Sequence, residues 1–383
     1  MDILKETEKK AQDIVSWRRK IHRHPEAGNR EYRTSALIEE VLTSYGIECH
    51  RILETAVIAN IQGGQPGRTI AFRADMDALP VNEETGAEFA SEVGGYMHAC
   101  GHDVHTAALL GAASVLYEHR NELQGNVIFL FEPDEEGDGG AARMIDAGCL
   151  EGADAVFGAH VDPSLPEGTA GIRYGKFYAA ADTFDVEVRG ESSHGAERWN
   201  GKDALESAAR MVTELIRLPE SISQDGCVLT VGKFRSGSAR NIMPGRASFS
   251  GMIRTLGADT RSDVKEGLFE TVERISRDTG TKSEIKLMSG YPGIVNDDRM
   301  TDIAANAASK LLGSSNVMLI DKPTMKTEDF GCFSNVVPGS FYHIGAGCTV
   351  PLHNEKFLPT EKALLTAAAM HVAVAYEYLN GDL

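Results

Sequence analysis

Apolar and polar positions along the chain follow two successive regimes. Through the first half, helix-period and strand-period segments alternate, the pattern of an α/β domain built on a largely parallel sheet. Residues 35–45 (SALIEEVLTSY) repeat apolar positions at helical spacing and stop at Gly46. Short apolar runs at 69–72, 127–131 and 155–157 each end just before polar or acidic residues and predict buried strands. Between them, residues 104–117 (VHTAALLGAASVLY) predict a helix buried on most sides, and 139–147 a shorter one ending at Gly148.

From about Asp182 the period becomes two. DTFDVEVRG, CVLTVGKF and ASFSGMIRT alternate, with helical stretches at 204–218 and 262–278 between them. That order predicts a compact α+β insert, an antiparallel sheet carrying two helices. After Gly290 the first pattern resumes, with a helix at 300–312, a strand near 341–344 and a closing helix at 361–379. The expected fold is therefore an α/β domain with a mostly parallel central sheet flanked by helices, residues 1–181 and 290–383. A smaller domain, residues 182–289, interrupts it. At 383 residues the chain is longer than one core comfortably fills, which agrees with two domains.

Composition narrows the function classes. With 42% hydrophobic and 25% charged residues, the chain reads as an ordinary globular protein. Its first twenty residues are charged every few positions, and no run of about 18 apolar residues occurs. A cytoplasmic protein without a membrane partner is the expectation. A formal charge of -18 disfavours nucleic acid, which is recruited by clustered Lys and Arg. The six cysteines lack a small-domain disulfide rhythm and, in a reducing compartment, read as buried thiols or metal ligands.

The densest chemistry is MHACGHDVH, residues 97–105, where three histidines and a cysteine share one short window. Cys100 and His102 are separated by one residue in a Gly-containing turn, so thiolate and imidazole can face one point, a pair suited to Zn²⁺ and its neighbours. The alternative for this segment alone is that the histidines cap the next helix and the cysteine packs. FEPDEEG, residues 131–137, follows an apolar strand directly, at the sheet edge where α/β proteins bind ligands. There one of Glu135 and Glu136 can bind metal while the other faces substrate. His160 ends the strand-like DAVFGAH, and His353 lies in PLHNEKF. Each of these is weak alone; together four segments deliver ligand types to the same kind of place.

In order and spacing, MHACGHDVHTAALLGAA, FEPDEEGDGGAARMI, VFGAH and PLHNEKF resemble the M20 metallopeptidases. RRKIHRHPEAG, FRADMDALPV, NIMPGRASFSGMIRTL and TEDFG are similar to the amidohydrolase branch that includes hippurate hydrolases, auxin-conjugate hydrolases and N-acetyl-diaminopimelate deacetylase. The resemblance spans nearly the whole chain. It implies two divalent ions per subunit, Zn²⁺ or Mn²⁺ first and Co²⁺ or Ni²⁺ as alternatives, held by Cys100, His102, Glu136, His160 and His353. It also implies Glu135 as general base and Asp77 as a carboxylate tuning a ligand from behind. The insert corresponds to a lid or dimerisation domain, with a homodimer as the implied partner. There His194 matches a histidine near the substrate carbonyl, and Asn241 a residue that meets the substrate carboxylate.

The implied activity is hydrolysis of a small amide, foremost an N-acyl amino acid. The alternatives are a dipeptidase or aminopeptidase with the same metals, N-acetyl-diaminopimelate deacetylase, and a disfavoured protein that binds metal or ligand without turnover. Two departures from the branch pattern carry expectations of their own. Glu132 and Asp134 stand where Gln and Ala are usual, predicting an acidic loop that selects a cationic substrate. Ser192 and Ser193 replace a Gly-Gly pair before His194 and restrict the backbone there.

Overall fold

The computed structural model describes residues 1–222 and 226–381. They form two compact units: one of residues 1–175, 295–321 and 329–381, the other of residues 176–222, 226–294 and 322–328.

The larger unit is built on an eight-stranded mixed sheet. At its centre four parallel strands lie side by side in the order Gln124–Glu132, Gln65–Asp75, Ala155–Asp162 and Gly339–Gly345. These are the continuous apolar runs of the sequence, and both faces are covered, as parallel strands require. Helices His102–Glu118 and Glu361–Asn380 pack on each other and on the strand Gln65–Asp75. Along His102–Glu118 every side chain through Leu116 is buried, which is why its sequence lacks a polar face. Two antiparallel edge strands, Glu48–Ile52 and Ala56–Gln62, extend the sheet on one side.

Parallel register places the carboxyl ends together. Asp75 lies opposite Glu132, and His343 opposite His160. The residues that follow these strand ends supply most of the site described below.

The smaller unit holds a four-stranded antiparallel sheet in the order Cys227–Ser236, Arg246–Thr255, Ala180–Arg189 and Lys282–Ser289. Phe184, Val186 and Val188 alternate inward from the second-to-last strand of that order, and the residues between them face away. Helices Ala204–Leu215 and Ala258–Thr279 cover the apolar face with Ala208, Met211 and Leu215, and with Val264, Leu268, Val272 and Ile275, at helical spacing. No helix among the described residues is long and apolar enough to cross a membrane.

Candidate metal centre

Five chain segments of the larger unit converge beyond the sheet's carboxyl edge. The turn Cys100–Gly101–His102 enters its helix with Gly101 at φ 92°. A Cβ there would lie 2.5 Å from Val161 Cγ2, so only glycine lets the turn sit against the strand bearing His160. Cys100 Sγ is 3.3 Å from His160 Nε2. The backbone N–H of His353 donates to Ala99 O at 2.8 Å, pinning the late-chain loop to the same turn. His353 Nε2 thereby reaches 2.9 Å from Glu136 Oε1.

Candidate ligand atoms of Cys100, His102 and His160 lie within 4.8 Å of one another; so do those of Cys100, Glu136 and His353, and those of His102, Glu135 and Glu136. The first two sets share Cys100. Asp75, His102 and His105 form a further such set, but both nitrogens of His105 are engaged. Its Nδ1 donates to Asp75 Oδ1 at 2.6 Å and its Nε2 accepts the Val161 N–H at 3.0 Å.

Hydrogen bonding fixes the tautomers of the other histidines. His160 Nδ1 donates to Val161 O at 2.7 Å, leaving a lone pair on Nε2, which faces the thiol. His102 Nδ1 meets the Asp77 carbonyl at 2.9 Å and its carboxylate at 3.1 Å, so the neutral His102 ring likewise carries its lone pair on Nε2. The same Asp77 carboxylate accepts the Glu136 N–H at 3.0 Å. One aspartate thus orients an imidazole and a carboxylate, the arrangement found behind metal-binding histidines.

A cation fits these donors. His102 Nε2 and Glu136 Oε1 are buried without a hydrogen-bond partner. Buried lone pairs without partners are costly unless something accepts them. The electrostatics agree. Burial, with Glu136 and Glu135 adding to it, pushes the Cys100 thiol well above its ordinary value. Burial opposes charge on His102 too, yet Asp75 and Asp77 outweigh it and raise the imidazole to about 10. Both shifts report surplus negative charge, which a divalent cation would neutralise.

The structure corrects the expectation that the acidic loop selects a cationic substrate. Glu132 is fully buried and takes Arg73 Nε at 2.5 Å, while Arg73 Nη1 and Nη2 reach Asp75 at 2.8 Å and Asp329 at 2.9 Å. Asp134, at φ 63°, turns its carboxylate to Asn29 Nδ2 at 2.6 Å and Arg143 Nη2 at 3.2 Å. Both added carboxylates are therefore spent on partners inside the protein. Sequence reading gave Arg73, Asp75 and His105 no role; the signal was one arginine inside the apolar run TIAFRAD.

His194 and Asn241 belong to the smaller unit. His194 is exposed on a two-residue strand, Ser193–His194, paired with Ile242–Met243. Its Nδ1 accepts the Ala196 N–H at 3.2 Å, which leaves the neutral ring's proton on Nε2. Asn241 is also exposed, and its carbonyl accepts the Gly195 N–H at 2.9 Å. Ser192 lines a surface groove of about 650 Å³ with Arg189, Arg235 and Arg246.

Residues 71–377 match the profile of Peptidase family M20/M25/M40. The chain is 38% identical over 362 residues to an N-acetyl-L-cysteine deacetylase of Bacillus subtilis, covering 93% of this chain and 85% of the relative. It is 36% identical over 396 residues to thermostable carboxypeptidase 1 of Saccharolobus solfataricus, covering 99% and 100%. The crystal structure of the Bacillus subtilis YXEP protein, described as a dinuclear metal binding peptidase, superposes with a TM-score of 0.88 at 32% identity, covering 98% of this chain and 100% of that one. A family profile matched over most of the chain, together with relatives above 30% identity along its length, makes this protein a member of Peptidase family M20/M25/M40.

Proposed function

We propose that the chain hydrolyses the amide bond of an N-acyl amino acid, with two divalent cations held by Cys100, His102, Glu136, His160 and His353. The observation that carries this reading is the pair of donor sets sharing Cys100, with Glu135 beside His102 and Glu136. When bound, the cations supply Lewis acidity toward the amide carbonyl and a lowered pKa for water at the site. Zn²⁺ and Mn²⁺ suit a thiolate, imidazole and carboxylate set, with Co²⁺ and Ni²⁺ as alternatives.

Glu135 takes the proton of the attacking water and returns it to the leaving nitrogen, acting first as base and then as acid. Asp77 holds His102 and the Glu136 backbone in register. His194 donates its Nε2 proton to the developing oxyanion, and Asn241 meets the substrate carboxylate. In this reading residues 1–181 and 290–383 form the catalytic domain, and residues 182–289 form a lid through which two copies pair. Six free cysteines, one of them a ligand, suit the reducing cytoplasm.

Two named relatives frame the substrate question, one a deacetylase of an N-acetyl amino acid and one a carboxypeptidase. The test is Glu135→Gln in metal-reconstituted protein, assayed on N-acetyl amino acids and on dipeptides with a free amine. Metal content should be unchanged and kcat should fall roughly 10²–10⁴-fold, the usual worth of a general base. Full activity of that variant would sink the proposed mechanism. Faster turnover of dipeptides than of N-acetyl amino acids by the unaltered enzyme would move the assignment to a peptidase.

A further inference from the structure

The stretch RRKIHRHPEAGNRE, residues 18–31, takes no part in the chemistry above, yet it touches the chain beside His102, Asp77 and Glu135. Arg18 Nε donates to Asp103 Oδ2 at 3.0 Å, and His22 Nδ1 donates to the same oxygen at 2.9 Å. All three residues are fully buried, and Asp103 directly follows His102. His22 Nε2 reaches Glu83 Oε1 at 3.1 Å, so the ring is held at both nitrogens.

The second anchor is the Glu26 carbonyl, which accepts the N–H of Ala78 at 2.8 Å, one residue after Asp77. The third is Glu31. Its Oε1 accepts the Asp134 N–H at 3.0 Å, while Asn29 Nδ2 reaches the Asp134 carboxylate at 2.6 Å. Asp134 directly precedes Glu135 and Glu136. One short segment therefore braces the chain at three points, the first turn of the helix His102–Glu118 and the turns after the strands Gln65–Asp75 and Gln124–Glu132.

Compared with apolar packing, bracing of this kind is an inefficient source of stability. Arg18 Nη1 and Nη2, Asp103 Oδ1 and both ring nitrogens of His98 are buried without a partner among the described residues. A buried ion pair with unsatisfied atoms is a poor stabiliser compared with apolar packing. What it provides is a single allowed geometry. The turn at Gly101 needs one, because a glycine at positive φ imposes little of its own.

We propose that Arg18, His22 and Glu31 are positioning residues for the metal centre, so that ordering of residues 18–31 and cation binding are thermodynamically linked. This rests on the two-metal reading above. Linkage is reciprocal: if the segment raises cation affinity, cations must order the segment.

The test uses the full chain in two measurements. Zn²⁺ and Mn²⁺ dissociation constants are taken by chelator competition for wild type, His22→Ala and His22→Asn, the last keeping an amide nitrogen where Nδ1 sits. In parallel, hydrogen exchange of residues 18–31 is followed in wild type with and without metal. His22→Ala should bind roughly 10-fold more weakly, with kcat lowered and KM within about twofold, and His22→Asn should recover most of the loss. Exchange across 18–31 should slow on metal addition. Unchanged affinity in His22→Ala together with metal-independent exchange would overturn the inference while leaving the functional reading intact. If His22→Ala does not fold, the exchange result decides alone. A wild type that binds neither ion would overturn the functional reading, and this inference with it.

Discussion

The side chains assigned to chemistry in the larger unit and those in the smaller one are held in opposite ways. Around Cys100, the buried imidazoles of His102 and His160 each have one nitrogen committed to a carbonyl or carboxylate and the other left facing the cluster, while His353 reaches it from an exposed loop. His194, by contrast, stands exposed on a two-residue strand with one local hydrogen bond. The first arrangement is preorganised: dipoles and lone pairs are aimed before any ligand arrives, and the fold has already borne the cost. The second must be ordered when a ligand binds. Buried positions should therefore answer substitution in stability and metal affinity, and exposed ones in rate alone.

The strongest way to break this contrast is Arg73→Met. The guanidinium is shared by Asp75, Glu132 and Asp329, all buried. Removing it takes a shared guanidinium from three buried carboxyl groups, at a cost of about 3–5 kcal/mol in unfolding free energy. Denaturant unfolding of the metal-free protein checks this. A loss below about 1 kcal/mol would mean that these carboxylates are neutral already, and that the larger unit is not braced by charge.

His194→Ala probes the other side. On the proposed reading His194 is an oxyanion donor, and its loss should lower kcat roughly 10²–10³-fold. As an exposed side chain, it should change unfolding free energy by no more than about 0.5 kcal/mol. Steady-state kinetics and a thermal melt on the same sample give both numbers. A large fall in melting temperature with kcat intact would reverse the assignment of roles.

The pH response should also come from the braced region. Burial disfavours charge on His22, but Asp103 and Glu83 overcome it and lift the imidazole from 6.5 to about 9. A raised histidine contributes its stabilisation fully below pH 6.5, where it is protonated in folded and unfolded chains alike. The contribution fades as pH climbs toward 9, amounting to about 3 kcal/mol over that window. Metal-free protein should therefore melt lower at pH 9 than at pH 6.5, and His22→Asn should flatten that slope. An unchanged slope in the variant would place the dependence elsewhere.

Much of this was legible in the sequence wherever the signal is local. The period-two strands of the insert, the apolar helix His102–Glu118 and the ligand types in MHACGHDVH all sit within a few residues of one another. The edge strand Glu48–Ile52 escaped notice because its exposure does not alternate cleanly. Arg73 and Glu132 escaped for a different reason: they are 59 positions apart, and Arg73 and Asp329 are 256 apart. A run of acidic letters states how many charges are present, and nothing about which cation each one meets.

That misreading yields the smallest predicted effect and the finest test of the contrast. Glu132→Gln restores the residue usual in the branch. Burial, helped by Asp329 and opposed by Arg73, pushes the Glu132 carboxyl well above its ordinary range, toward the protonated form that an amide mimics in shape and charge. Arg73 keeps Asp75 and Asp329 as acceptors in the variant. Stability should change by no more than about 1 kcal/mol, the scale of one neutral hydrogen bond. Because the side chain is sealed from solvent, the ratio of kcat/KM for N-acetyl-lysine over N-acetyl-glutamate should move less than about twofold. Were Glu132 steering cationic substrates, removing its charge would shift that ratio by about tenfold, the effect of a single unit of charge worth about 1.4 kcal/mol at an exposed site. A shift of that size would return the acidic loop to the substrate and make the ion cluster beneath it an accident of packing.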